Sequence, residues 1–151
     1  MQALESEQPY RHTQYAGPLL WIPVLGASAV LLVMAILGGE WPALVGALGL
    51  MVVYLLMFSL TVEVDCCRVR VRFGVGLLGF NYKLKEIESV KTVRNRVWYG
   101  WGVRWFPGGV LLNVYGLDGV ELTFKDGRVR RIGSDRPKEL AEAISRHLAN
   151  C

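Results

Sequence analysis

Two long apolar stretches dominate the first 60 residues of the chain, and they contain no Lys, Arg, Asp, Glu or His. They cover residues 19–37 and 43–60. Each would extend roughly 27 Å or more as a helix, which approaches the hydrocarbon thickness of a bilayer. Gly38 and Gly39 favour the end of the first helix, and Pro42 suits the first turn of the second. The pattern predicts a two-helix transmembrane hairpin.

The distribution of basic residues predicts the orientation of this hairpin. Arg11 precedes the first apolar stretch, three arginines follow the second at positions 68, 70 and 72, and the connecting loop has no basic residue. The positive-inside rule then places both termini in the cytoplasm and the protein in the cytoplasmic (inner) membrane as a multi-pass protein. The expected divisions are a cytoplasmic N-terminal tail (1–18), the hairpin (19–60) and a cytoplasmic domain (61–151).

Two details of the apolar region have alternative interpretations. The sequence Ala27-Ser28-Ala29 resembles a signal-peptidase site, but the apolar run before it is short and the leader is acidic, which favours an uncleaved helix. Small residues share one face of the second helix and allow close approach of another helix, either within the hairpin or between two copies of the chain. These residues are Ala43, Gly46 and Ala47.

After residue 60 the apolar pattern changes to the period of two that is typical of half-buried strands. Seven short strands are predicted, at residues 62–66, 69–73, 80–85, 87–93, 110–115, 120–124 and 129–132. Asp126-Gly127 is a strong hairpin signal between the last two. Asp135 and Pro137 then favour a helix start, and an apolar stripe follows at Leu140, Ile144 and Leu148. The prediction is an α+β membrane protein with seven strands and a C-terminal helix.

Composition narrows the classes of function. The chain is 52% hydrophobic and 20% charged, so it is more apolar than a typical soluble enzyme and unlike a disordered chain. Residues 61–151 contain 16 basic and 10 acidic residues, a net charge of +6. Such a domain attracts anionic surfaces, but interspersed acidic residues and a position against a membrane make it a poor reader of nucleic acid.

The local strings after residue 60 resemble membrane-anchored bacterial pleckstrin-homology-like (PH-like) proteins. They are LTVEVD, RVRVRFGVG, KLKEIESV, NRVWYGWGVRW, GLDGVELTFKDGRVRRIGSD and PKELAEAI. The resemblance covers residues 60–148 and is most specific at 87–134. It implies a partly open barrel of two bent antiparallel sheets with the helix at one end. It also implies a module that binds lipid headgroups or proteins, although a fold does not fix a function.

The first candidate site is a basic strand surface. Arg68, Arg70 and Arg72 point to one side of their strand, and Lys83 and Lys85 are expected on the equivalent face of the next. Three interpretations stay open. The surface is a solvated strand face that discourages edge pairing, a face that is attracted nonspecifically to anionic lipid, or a site that binds a phosphate specifically.

The second candidate site is the aromatic segment, residues 95–109. It concentrates large rings and arginine, the residues that dominate binding hot spots and also settle at membrane interfaces. About half of the rings are expected to fill the barrel interior. The partner-binding candidates are Trp98, Tyr99, Trp101, Arg104 and Trp105.

No catalytic chemistry emerges from the remaining polar residues. Cys66, Cys67 and Cys151 lack metal-ligand spacing and are expected as thiols in a reducing compartment. His12 lies in the leader and His147 is expected on the surface of the last helix. We therefore predict no enzyme activity, no metal and no cofactor.

Two hypotheses for function follow. In the first, a membrane-anchored PH-like module recruits or scaffolds a protein partner, or a second copy of itself, through the aromatic segment. In the second, the basic domain binds anionic lipid headgroups.

Overall fold

The computed structural model describes residues 9–149, which form an α+β fold with two N-terminal helices, nine strands and a C-terminal helix. The helices are α1 (Pro18–Gly38), α2 (Trp41–Met57) and α3 (Pro137–Ala149). The first four strands are β1 (Tyr10–Tyr15), β2 (Ser59–Val64), β3 (Arg68–Phe73) and β4 (Leu78–Lys83). The others are β5 (Ile87–Arg94), β6 (Gly102–Phe106), β7 (Gly109–Asn113), β8 (Asp118–Phe124) and β9 (Val129–Gly133).

The two apolar helices form the predicted hairpin. Gly39 ends α1 in the left-handed conformation, and its N–H donates to the Ala35 carbonyl at 3.0 Å. By length and composition α1 is a candidate membrane span, with a mean hydropathy of 2.2 over residues 21–38, whereas α2 is a shorter apolar helix. The predicted second span, 43–60, was too long at its end, because the chain leaves the helix at Phe58 and enters β2.

Small residues make the contact between the two helices. Ala43 and Ala47 are buried, and a Cβ at Gly46 would lie 3.3 Å from a Leu31 methyl carbon. The Ser28 hydroxyl, facing α2, donates to the Ala47 carbonyl at 3.5 Å. Packing inside the hairpin therefore occupies this face of α2.

The strands form two sheets, with orders β1-β2-β3-β4 and β5-β8-β9-β7-β6. The seven predicted strands are all present, but the predicted number was wrong because β1 and β6 add to them. The resemblance implied antiparallel sheets. The first sheet is antiparallel, whereas the second is mixed, because β7 pairs with β9 in parallel.

Residues 10–15, which the sequence placed in an N-terminal tail, form a strand of the first sheet. β1 pairs antiparallel with β2 over its whole length, from Tyr10 opposite Val64 to Tyr15 opposite Ser59. The Ala16 N–H then donates to the Phe58 carbonyl at 2.9 Å. The helical hairpin is thus inserted between two paired strands, and its two ends leave the sheet side by side.

One apolar core joins both sheets and α3. It is built mainly of aliphatic side chains, among them Val71 of the first sheet, Leu122 of the second and Ile144 of α3. α3 packs on β2, β5 and β8 with the buried residues Leu140, Ala143, Ile144 and His147. The expectation that His147 lies on the surface was wrong, because it continues this buried face of the helix.

Candidate functional site

The base of the helical hairpin is held against the β-domain by the turn between β3 and β4. The Gly74 N–H donates to the Ser59 carbonyl at 2.8 Å, and the Val75 N–H donates to the Leu55 carbonyl of α2 at 3.2 Å. Gly74 has φ +50°, and a Cβ there would overlap the Leu55 carbonyl oxygen. Val75 and Leu77 expose apolar side chains beside this contact, Leu77 to 79%. The turn therefore places apolar groups at the level of the last turns of α2.

A second contact with the hairpin base comes from the aromatic segment. Its chain forms a 3₁₀ turn at Val97–Tyr99 and then β6, and the connection bends at Gly100 and Gly102, which have φ +68° and +93°. A Cβ at Gly102 would lie 3.8 Å from the sulfur of Met57, so β6 runs close to the end of α2.

The rings of the aromatic segment are more exposed than the sequence predicted. Trp98 and Trp105 are 81% and 86% exposed, Trp101 is also exposed, and Tyr99 and Phe106 are half-buried. The expectation that about half of the rings fill the barrel was wrong, because none of the five is buried and aliphatic side chains occupy the core. Large exposed rings beside an apolar hairpin are characteristic of a membrane interface.

A groove of about 580 Å³ lies between the aromatic segment and the hairpin base. Its helical wall consists of Trp21, Val24, Val53 and Met57, and its other wall runs from Gly100 to Arg104 with Val114. The volume is within the range of about 300–1,000 Å³ that is usual for small-ligand sites. The Trp21 ring is held in a T-shaped contact with Tyr54, with ring centroids 5.2 Å apart.

Arg104 is the one charged side chain that lines this groove among the described residues. Its Nε–H donates to the Trp101 carbonyl at 3.1 Å, and no carboxylate of residues 9–149 forms a salt bridge with it. The guanidinium therefore keeps further donors for an anionic group. Of the predicted partner-binding residues, Trp101 and Arg104 line the groove, whereas Trp98, Tyr99 and Trp105 do not.

The predicted basic surface is only partly assembled. Lys83 lies opposite Arg68 across β3 and β4, on the same outer face as Arg70 and Arg72. Lys85 was misplaced by the prediction, because it lies in a 3₁₀ turn, Leu84–Glu86. It lines a separate cleft of about 440 Å³ whose other residues are Glu86, Lys125, Asp126 and Arg128.

Carboxylates neutralise much of the remaining basic surface. Nη2 of Arg72 lies 3.7 Å from Oε2 of Glu63, and Nη2 of Arg70 lies 3.7 Å from Oδ2 of Asp65. Hydrogen bonds from Cys66 to the Asp65 carboxylate, with a further contribution from Arg70, hold the pKa of Asp65 below its usual value. Such exposed pairs add little stability, but they reduce the field available to a phosphate. A specific phosphate site on this strand is therefore less favoured than attraction to an anionic surface.

Sequence reasoning missed a polar cluster that positions the aromatic segment. Arg131 on β9 donates to Glu121 on β8 at 2.7 Å and to the Asn95 side chain at 3.4 Å. Its guanidinium carbon lies 4.4 Å from the centroid of the Phe106 ring, and Phe106 packs against Tyr99. The Asp126-Gly127 signal predicted the hairpin but not this pairing, because a two-residue turn would place residue 121 opposite 132, whereas the structure pairs Glu121 with Arg131.

The two histidines make structural contacts within the β-domain. The His12 Nε2 and the Asp135 carboxylate lie 2.6 Å apart, which links β1 to the start of α3. Within residues 9–149 no group of three or more His, Cys, Asp or Glu side chains is arranged to hold a metal. Cys151 lies outside the described residues.

No protein-family model matches the chain, and no curated protein matches it significantly.

Proposed function

We propose that the chain is a membrane-anchored PH-like binding module that recognises the anionic surface at the inner face of the membrane. In this proposal both helices cross the bilayer and both termini lie in the cytoplasm. The observation that carries it is the position of the aromatic segment, which meets the apolar hairpin at its base. Exposed tryptophans at that level favour the headgroup region.

The pairing of β1 with β2 supports the two-span topology. Tyr15 and Ser59 are paired where the chain enters and leaves the hairpin, so both ends lie on one side. If α1 crosses the membrane, α2 must return through it. At 17 residues α2 extends about 25 Å, near the lower limit for a spanning helix. The outward surfaces of both helices are apolar and exposed, which suits contact with lipid.

The charge of the domain supports recognition of anionic lipid. Arg68 on β3 and Arg104 form no salt bridge with a carboxylate among the described residues, and residues 61–151 keep a net charge of +6. Each basic residue near an anionic surface contributes about 1 kcal/mol. The domain therefore settles on a bilayer that contains acidic lipid more firmly than on a neutral one.

Quenching of tryptophan fluorescence by brominated acyl chains tests this proposal. Full-length protein is placed in nanodiscs with and without brominated lipid, and W98F and W105F are compared with the wild type. We expect W105F to lose part of the quenched emission, and acidic lipid to increase the quenching. Trp41 lies at the loop end of the hairpin, so the quenched emission that is lost in W41F measures the contact of the hairpin with lipid, separately from the aromatic segment. Unchanged quenched emission in both W98F and W105F would show that these rings avoid the bilayer.

A second candidate is recruitment of a protein partner, or of a second copy, through the aromatic segment. The observation that favours it is that β6 is an edge strand of the second sheet, so one side of its backbone can pair with a strand from a partner. Purification of the full-length protein from its native membrane in mild detergent, followed by mass spectrometry, tests it. A stoichiometric partner that is lost on combined replacement of Trp98, Trp101 and Arg104 by Ala supports this candidate. Recovery with acidic lipid alone contradicts it.

A further inference from the structure

The groove at the hairpin base has two chemically different parts. Its helical wall is apolar, and Val53 on that wall is about half exposed. Its opposite wall runs from Gly100 to Arg104, into the first residues of β6, with Val114 beside it. One ligand would therefore meet apolar side chains at one end and a cation at the other.

The groove is continuous with the outward faces of the helices. Val24 and Val53 lie within α1 and α2, whose neighbouring exposed side chains are also apolar, among them Leu25 and Val52. In a bilayer these faces are surrounded by acyl chains. A lipid can enter the groove sideways from the surrounding lipid, without crossing water.

We propose that this groove holds one anionic phospholipid, with its phosphate at the Arg104 guanidinium and an acyl chain along Val24, Val53 and Met57. The inference rests on the membrane anchoring proposed above and names a single bound lipid in addition to contact with the membrane surface. Charge complementarity supports it, because Arg104 has no carboxylate partner among the described residues. Arginine offers several donors in a planar arrangement that matches a phosphate.

The local geometry supports Arg104 as the headgroup contact. Its Nε is occupied by the Trp101 carbonyl at 3.1 Å, which fixes the direction of the side chain while leaving the terminal amino groups available. Trp101 lies beside it in the groove wall, where an indole ring suits the boundary between headgroup and acyl chain. The arrangement is therefore suited to a lipid at the membrane boundary.

Native mass spectrometry of the full-length protein in mild detergent tests the inference. Phosphatidylglycerol and phosphatidylcholine are titrated into wild type, R104Q and R96Q. Arg96 is the matched control, because it is an exposed arginine of the same segment that does not line the groove. We expect one tightly retained phosphatidylglycerol in the wild type and in R96Q, and at least about fivefold weaker retention in R104Q. Phosphatidylcholine, whose phosphate charge is compensated by its own choline cation, should be retained more weakly by the wild type and should lose less retention in R104Q than phosphatidylglycerol does.

A second variant separates occupancy of the groove from charge. V53W places a large ring in the groove and should prevent retention of the lipid even with Arg104 present. Equal phosphatidylglycerol retention in R104Q and the wild type would overturn the inference, and so would retention in V53W. A protein bound in the groove would also overturn it. Extraction of the wild type from membranes by alkaline carbonate would instead refute the proposed anchoring, so the two failures are distinguishable.

Discussion

Replacing Gly74 by Ala should detach the β3–β4 turn from α2. Gly74 has φ +50°, a backbone conformation that costs a residue with a side chain roughly 1–2 kcal/mol. A Cβ there would also lie 2.7 Å from the Leu56 carbonyl oxygen, whereas ordinary contact begins at 3.4 Å. The turn must therefore withdraw by about 0.7 Å or more, since backbone atoms block the site.

Gly76 provides the matched control for this substitution. It has φ +90° in the same turn, but a Cβ there meets nothing within 4 Å. G76A therefore lowers the free energy of unfolding through backbone strain alone, by about 1–2 kcal/mol. G74A adds an overpacking cost of about 1–3 kcal/mol, and this difference measures the contact between turn and helix.

Hydrogen–deuterium exchange of the full-length protein in one detergent provides the assay. The reporters are the Gly74 and Val75 amides, which donate to Ser59 and Leu55 in the native structure. G74A should speed exchange at both, because the two acceptors lie at the end of the hairpin. It should also lower the free energy of unfolding more than G76A does. Equal effects of the two substitutions on stability and exchange would refute the contact.

Three further predictions concern the β-domain. Glu121→Gln weakens the charge-assisted hydrogen bond to Arg131 and should lower the free energy of unfolding by about 1–2 kcal/mol in denaturant titrations; an unchanged midpoint would contradict this. Leu122→Ala empties a fully buried core position and should cost about 2–5 kcal/mol in the same titrations, and a cost below 1 kcal/mol would contradict its place in the core. Hydrogen bonds from Arg128 hold the pKa of Asp126 below its usual value, so the stability that Asp126 provides is present above about pH 4 and lost as the pH falls. Thermal unfolding at pH 7 and pH 3 should therefore show a larger fall for the wild type than for Asp126→Asn, and equal falls would contradict it.

The elements that the sequence predicted well are those with strong periodicity. Alternating valines and arginines in β3 identified both its conformation and its buried face. The Asp126-Gly127 turn correctly joined β8 to β9. In these segments local preference and burial agree, so the pattern is visible without knowledge of neighbouring strands.

β1 was not predicted, because pairing with β2 stabilises it and its own residues show no strand pattern. Its sequence, YRHTQY, has no apolar alternation, and inward positions carry His12 and Gln14. Gln14 is buried and donates to the Tyr115 carbonyl at 2.5 Å. A long-range ladder with β2 gives these residues their places, and no short window of the sequence contains that information.

The aromatic segment shows a different limit. Its residue types correctly indicated exposed rings at Trp98, Trp101 and Trp105, but the share expected in the core was wrong. Whether these rings are buried depends on which other side chains occupy the interior of the domain. Leu112, Val120 and other aliphatic residues fill it. For His147 the information was present, since Leu140, Ala143, Ile144 and His147 follow one another at helical spacings of three, one and three.

The insertion of the hairpin between β1 and β2 also sets the order in which the protein can assemble. About forty residues of helix and loop separate β1 from β2. At a synthesis rate of ~5–20 residues per second, β1 therefore stays unpaired for several seconds before β2 is made. If both helices cross the membrane as proposed, a chain whose second helix failed to return would place β2 on the opposite side from β1, and the first sheet could not close. In that proposed topology, completion of the ladder between β1 and β2 would serve as a checkpoint on membrane insertion. Misinserted chains would keep their strands unpaired and accessible to proteases.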